Sequence, residues 1–201
     1  MKQDIRLSHK IICEIVGQGA KVLDLGCGDG DLLKILVDRR AAKVQGIELN
    51  EACIYKCVEK GVSVFHGDFE SGLKGYPDKS FDYVILNESM QETRNVQFVL
   101  HEAMRVGDKV IVGFPNFAFF LGRLRLFFLG KTPITKSLPY RWYSTPNLHF
   151  LSLTDFVDFC RDEKIAILKR FYLGKKRRVL FFPNLFAQNC IFMIQDAQAR
   201  P

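Results

Sequence analysis

Between Asp24 and Asp31 the chain reads DLGCGDGD, with Gly26, Gly28 and Gly30 in strict alternation. An apolar run, Lys21–Gly26, precedes this loop, and a helix-like pattern, Asp31–Asp38, follows it. Strand, glycine loop and helix in that order suit a nucleotide-like ligand, because missing side chains let it lie against the main chain. The spacing narrows the choice. A dinucleotide fingerprint needs G-x-G-x-x-G, and here Asp31 takes the third glycine's place; the Gly-Lys-Ser/Thr of a phosphate loop is absent. Asp24, Asp29 and Asp31 surround the loop and no basic residue lies within it. Carboxylates repel a pyrophosphate and attract a cation. The loop therefore suits an adenosine compound with a positively charged end.

The rest of the first half places this loop in a sheet. Short apolar runs, Lys43–Leu49, Val62–Asp68, Phe81–Asn87 and Lys109–Phe114, alternate with helical patterns that include Val96–Val106 and one carrying Cys53 and Cys57. Alternation of this kind predicts an α/β fold with a mostly parallel sheet covered on both faces. After Pro115 the rhythm breaks into an aromatic-rich stretch, about 115–151, and then resumes. A helix at Ser152–Lys164, with Ser152 or Thr154 as N-cap, leads to strands Ile165–Leu173 and Asn189–Gln195, joined as a hairpin. With a leading helix formed by about residues 1–20, the expectation is one domain over 1–201 with seven strands.

DLGCGDG resembles the acidic-x-G-x-G-x-G motif of class I, Rossmann-like methyltransferases, whose cofactor is S-adenosylmethionine, a nucleoside bearing a sulfonium. The later landmarks fall in order. Asp24, Gly26, Cys27, Gly28 and Gly30 form the loop, and Glu48 with Leu49 ends the second strand. The resemblance implies that Glu48 binds the ribose hydroxyls. It further implies that Asp68 meets the adenine amino group, that Phe69 lies along the ring, and that Asn87 borders the methionine part. All these positions end strands, where open α/β sheets bind ligands. S-adenosylhomocysteine would occupy the same residues, and nothing calls for a metal.

The second half carries a more specific resemblance. MRVGDKVIVGFPNF, GKTPIT, LPYRWYSTPNLHF and the following LTDF are similar to the MetW family of methionine biosynthesis, which implies a methyltransferase fold acting with homoserine O-acyltransferase. No signature for methylating amide nitrogens or cytosine C5 is present; His149 and Tyr143, in the aromatic stretch, stand as catalytic candidates. His66 and His101 read as structural. Three functions stay open: a cofactor-binding accessory protein, an active methyltransferase on a small-molecule acceptor, and a basic adaptor for RNA. Phe119, Phe120, Leu124, Phe127, Phe128 and Leu129 suit core, a lid or a docking surface.

A net charge of +7 over 201 residues bears on the last reading. Lys175–Arg178 contributes four charges from one short run without the aromatic interleaving of an RNA-binding sheet, so it reads as a solvated loop or an acidic partner's docking patch. The start, MKQDIRLSHK, lacks the pattern of a secretory leader, and no apolar run is long enough to span a bilayer. The six cysteines then read as reduced thiols, and the expected location is cytoplasmic.

Overall fold

Residues 5–197 are described by the computed structural model. Its centre is a seven-stranded sheet in the order β3-β2-β1-β4-β5-β7-β6. The strands are β1 (Lys21–Leu25), β2 (Lys43–Glu48), β3 (Val64–His66), β4 (Phe81–Asn87), β5 (Gly107–Pro115), β6 (Ile165–Leu173) and β7 (Asn189–Asp196). The first five pair in parallel, and β7 inserts antiparallel between β5 and β6. The predicted mostly parallel sheet with an antiparallel C-terminal hairpin is what forms.

Side-chain alternation along the strands builds two cores. Leu23, Leu25, Val84, Leu86, Val110, Val112, Phe192 and Ile194 face one side, against α4 (Val96–Val106) and α6 (Leu153–Asp162). Val22, Ile85, Ile111, Ile191 and Met193 face the other, against α1 (Leu7–Ile15), α2 (Asp31–Arg40) and Cys57 of α3 (Glu51–Glu59). A strand buried on both faces has no polar side to show, which explains the near-continuous apolar runs. Helix ends follow local chemistry. Asn50 and Asn95 accept hydrogen bonds from the amides of Cys53 and Phe98, and Ser152 with Asp155 completes a capping box.

The leading helix is shorter than expected, because Val16 turns extended and Gly17 follows; residues 1–4 of its expected span lie outside the described residues. β3 shrinks to three residues at the sheet edge, where only β2 pairs with it. The aromatic stretch contains α5 (Phe120–Leu129) and then runs without regular structure to α6. Phe119 is buried, but α5 itself buries only Gly122. Phe127 is 82% exposed, and Phe128 and Leu129 are exposed beside it. A second apolar exposure, Leu180–Phe182, precedes the four-residue α7 (Pro183–Phe186).

The hairpin is held down by rings. Phe192 is fully buried, stacked on Phe114 with centroids 5.9 Å apart and tilted against Phe156 at 4.9 Å. Phe192→Ala should destabilise the protein by about 3–5 kcal/mol, read as a lower urea midpoint with unchanged m-value.

Candidate functional site

β1 ends at Leu25 and the chain at once folds back over the end of β2. The amides of Gly26 and Cys27 both donate to the carbonyl of Ile47, at 2.9 and 3.2 Å. Gly28 N–H donates to Glu48 Oε2 at 2.8 Å, and Gly30 N–H to the Cys27 carbonyl at 3.1 Å. All three glycines have positive φ, between 56° and 77°, a conformation that a Cβ strains. Their surroundings differ. A Cβ on Gly26 would come within 2.8 Å of Ser89 Cβ, and one on Gly30 within 2.9 Å of Cys57 Sγ, whereas one on Gly28 would enter open space. Two glycines thus permit internal packing, and Gly28 alone clears room for a ligand.

That open space is a cavity of about 1210 Å³ at the carboxyl ends of β1, β2 and β4. It gathers Asp24, Gly26, Cys27, Gly28, Glu48, Leu49, Asp68, Phe69 and Asn87 into one lining. Of the expected binding residues, Gly30 stands apart, turned toward α3 as the N-cap of α2. Glu48 braces the loop as well as facing the cavity, since its Oε1 accepts from the amides of Leu49 and Asn50. Three amides fill three of a carboxylate's roughly four acceptor directions, leaving one for a ligand hydroxyl. Asp68 accepts from Glu70 N–H through Oδ1 at 2.8 Å, and Phe69 opens a single 3-10 turn beside it. Cys27 is buried, its sulfur 4.0 Å from that of Cys57, and burial pushes its thiol up.

The electrostatics differ from the simplest reading of three free carboxylates. Lys60 Nζ meets Asp31 Oδ1 at 2.6 Å and Asp29 Oδ2 at 3.6 Å, so α3 neutralises much of that charge. Asp24, Glu48, Glu88 and Glu92 line the cavity as well. Asp24 is only 3% exposed and has no hydrogen-bond partner among the described residues. Burial, aided by the Glu48 charge, raises its carboxyl from 3.8 to about 7. Burial and the charges of Glu48 and Glu88 also push Glu92 up. Glu88 holds a positive φ of 65° and forms an exposed 3.8 Å ion pair with Arg6. Ser89 donates to the Leu25 carbonyl at 2.6 Å and pins this acidic turn to the end of β1.

Of the four histidines, His9 lines the cavity. Burial first, then the Arg6 charge, holds its imidazole below the ordinary value, so it is neutral at pH 7. His149 is exposed in the aromatic stretch, with its amide on the Gln91 carbonyl, and Tyr143 lies beside Arg141 and Trp142. Neither lines the cavity, to which that stretch contributes Tyr140 and Pro146. His101 pairs with Glu163 at 3.1 Å, and His66 is exposed. His9 sits on a mostly apolar helix and gives no sequence signal of a site. Glu88 and Glu92 could have been suspected from NESMQE directly after β4. No group of His, Cys, Asp or Glu among the described residues could hold a metal.

These cavity groups could hold a cationic nucleoside. Leu49 and Phe69 offer apolar faces, Asp68 keeps an oxygen for an amine, and Asp24 lacks a partner that a cation could supply. The loop amides, by contrast, are spent inside the protein, and a phosphate could recruit few of them without breaking the turn.

Asp24 makes stability depend on pH. Its native carboxyl titrates near 7 against 3.8 when unperturbed, so the stability kept by staying protonated is full below about pH 4 and lost as pH rises through 7. Asp24→Asn should abolish that loss, giving a stability gain above pH 7 of up to about 4 kcal/mol that shrinks toward pH 4. Urea melts of both proteins from pH 4 to 8.5 measure it.

Known proteins resemble this chain in sequence and in fold. The family described as methionine biosynthesis protein MetW matches residues 6–194. Over 172 residues, 81% of this chain, the identity is 33% to the bifunctional methionine biosynthesis protein MetXA/MetW of Rhodopirellula baltica; the chain spans only 28% of that protein's length. A SAM-dependent methyltransferase from Thermotoga maritima matches with TM-score 0.65 and 19% identity, over 94% of this chain and 88% of the other. The [4+2]-cyclase SpnF matches with TM-score 0.67 and 16% identity, over 94% and 80%. At those identities the structural likeness establishes the fold, that of class I methyltransferases. With that fold around the glycine loop and the match running nearly from end to end, the chain belongs to the MetW family.

Proposed function

We propose that this protein binds S-adenosylmethionine in the glycine-loop cavity and acts in methionine biosynthesis as an accessory partner of homoserine O-acyltransferase. The observation that carries the ligand is the pairing of an amide-poor loop with a carboxylate-rich cavity. In this reading Gly28 lies beneath the ligand, Glu48 takes a ribose hydroxyl, and Asp68 with Phe69 receives the adenine. Asp24 and the acidic turn after β4 face the cationic methionine end. When bound, the sulfonium supplies an activated methyl group; the protein's own residues orient it and fix the charges around it. Family membership and the Rhodopirellula baltica protein, which carries MetXA and MetW in one polypeptide, support the acyltransferase as partner. The apolar residues exposed along α5 offer it a surface of the kind that marks protein contacts.

A second reading, methyl transfer to a small acceptor, is favoured by one feature: neutral, buried His9 lies in the same cavity and could accept a proton. The fold alone does not choose between the two. Turnover of S-adenosylmethionine against a panel of metabolites, with a His9→Asn control, separates them.

Calorimetry should show S-adenosylmethionine binding that strengthens between pH 6 and 8, as Asp24 becomes charged. Glu48→Ala should weaken it by about 1.5–3 kcal/mol, and Gly28→Val should abolish it by filling the open space. Unchanged affinity in both variants would remove the nucleoside assignment. Co-purification with homoserine O-acyltransferase should be lost on Phe127→Ser with Phe128→Ser, while S-adenosylmethionine still binds. A complex that persists, or no complex with the native protein, would refute the partner or the surface.

A further inference from the structure

The connection between β6 and β7 is tied at both ends to neighbouring residues of β6. Gly174 N–H donates to the Arg177 carbonyl at 2.9 Å, and Val179 N–H to the Tyr172 carbonyl at 2.8 Å, which closes a basic hairpin tip. Gln188 N–H donates to the Leu173 carbonyl at 2.8 Å and brings the chain back. Between these ties, residues 180–187 form a separate excursion. Asn184 of α7 fastens its base: the side chain accepts from Leu153 N–H at 3.2 Å and donates to Thr154 Oγ1 at 2.7 Å, and the carbonyl accepts from Asn116 Nδ2 at 3.1 Å. Ala187 is fully buried, and Phe186 packs on Phe120 of α5 with centroids 5.9 Å apart.

The outer part of this excursion stands in water. Leu180, Phe181 and Phe182 are 80%, 78% and 75% exposed. Phe182 holds φ 45° and ψ 56°, a left-handed conformation that strains a bulky residue, and its carbonyl accepts from the amides of Leu185 and Phe186 at 2.9 and 3.0 Å. Three consecutive apolar side chains are thus held out by an anchored, strained turn, and apolar surface presented in this way marks a contact site. The charge around it is of one sign. Lys175, Lys176 and Arg177 are exposed just before it, while Arg178 turns back to Glu14 of α1. Residues 165–195 contain six Lys and Arg and no Asp or Glu; residues 117–154, which include the neighbouring α5, contain five and again no acid.

We propose that Leu180–Phe182 is a membrane-contact tip that enters the headgroup region of an anionic lipid leaflet, with Lys175, Lys176 and Arg177 lying against the lipid charges. Two features favour a lipid surface over a protein face. A protein would need a fitted recess to enclose three successive side chains that the fold leaves at least three-quarters exposed, whereas a fluid interface accepts them as they stand. A leaflet of anionic lipid also matches a single-signed basic region over its whole area, while protein surfaces intersperse both signs. The contact is peripheral, since no helix among the described residues is long and apolar enough to cross a membrane. The tip uses neither the glycine-loop residues nor Phe127 and Phe128 of α5, so it stands apart from the functional reading above.

Flotation of the full chain tests this with two kinds of vesicle, phosphatidylcholine alone and phosphatidylcholine with about one-third phosphatidylserine. The native chain should bind the anionic vesicles about tenfold or more tighter than the neutral ones. Phe181→Ser with Phe182→Ser should weaken that binding about tenfold or more. Lys175→Ala with Lys176→Ala should weaken it about tenfold and make it less sensitive to salt. All four positions are exposed, so both variants should keep the native circular dichroism and urea midpoint. The inference is overturned if the native chain ignores anionic vesicles, if neutral vesicles bind it equally well, or if the phenylalanine variant binds as the native chain does. Homoserine O-acyltransferase is tested in parallel. Its loss from the phenylalanine variant, with no vesicle binding by the native chain, makes the segment a protein contact and overturns the lipid assignment.

Discussion

The tie between the ends of β1 and β2 is the constraint on which the site rests. Gly26 and Cys27 share the Ile47 carbonyl, and Gly28 reaches Glu48 on the residue after it. A turn this tight requires positive φ at alternate positions, and only glycine adopts that conformation without strain. The consequence for ligand choice is direct. A loop whose amides are consumed by the neighbouring strand has few donors left for an anion. What remains at its mouth is carboxylate oxygen, and the buried, unpartnered Asp24 sharpens that preference.

Two further layers stand on this tie. Ser89, bonded to Leu25, draws the turn after β4 across Gly26 and so brings Glu88, Gln91 and Glu92 to the same edge of the sheet. The backbone carbonyl of Gln91 then receives the amides of Leu148 and His149, anchoring the aromatic stretch over that turn. The path from loop to turn to aromatic stretch is continuous in hydrogen bonds. It offers a physical route by which a ligand in the cavity could bias the aromatic segment, provided the ligand binds one arrangement better than another. Exposed apolar residues on α5 and at Leu180–Phe182 give the same stretch and its neighbour a face that water disfavours.

Most strands were legible in the sequence because burial on both faces leaves unbroken apolar runs. β4, β6 and α4 begin and end where those runs do. The candidate site was legible in part. Asp24, Gly28, Glu48, Asp68, Phe69 and Asn87 all lie at or just past the carboxyl ends of parallel strands, and any such sheet brings those ends together. Lys60 was not legible, since a lysine at the end of a helix looks like any other until α3 packs beside the loop. His9 was hidden in the same way by its helix. Leu180–Phe182 was read only as part of a connection, because loop apolarity carries no period.

By itself the sequence determined the strand–glycine loop–helix unit, the order of strand-end acids and the family to which the chain belongs, since these are local patterns or direct likenesses. Only the tertiary structure decided that two of the three glycines serve packing and not ligand access, that Lys60 pairs with the loop's outer acids, and that four separate segments line a second space beside the first. Each of these is set by which distant residues approach one another, and proximity in space is a property of the folded sheet that spacing along the chain does not encode.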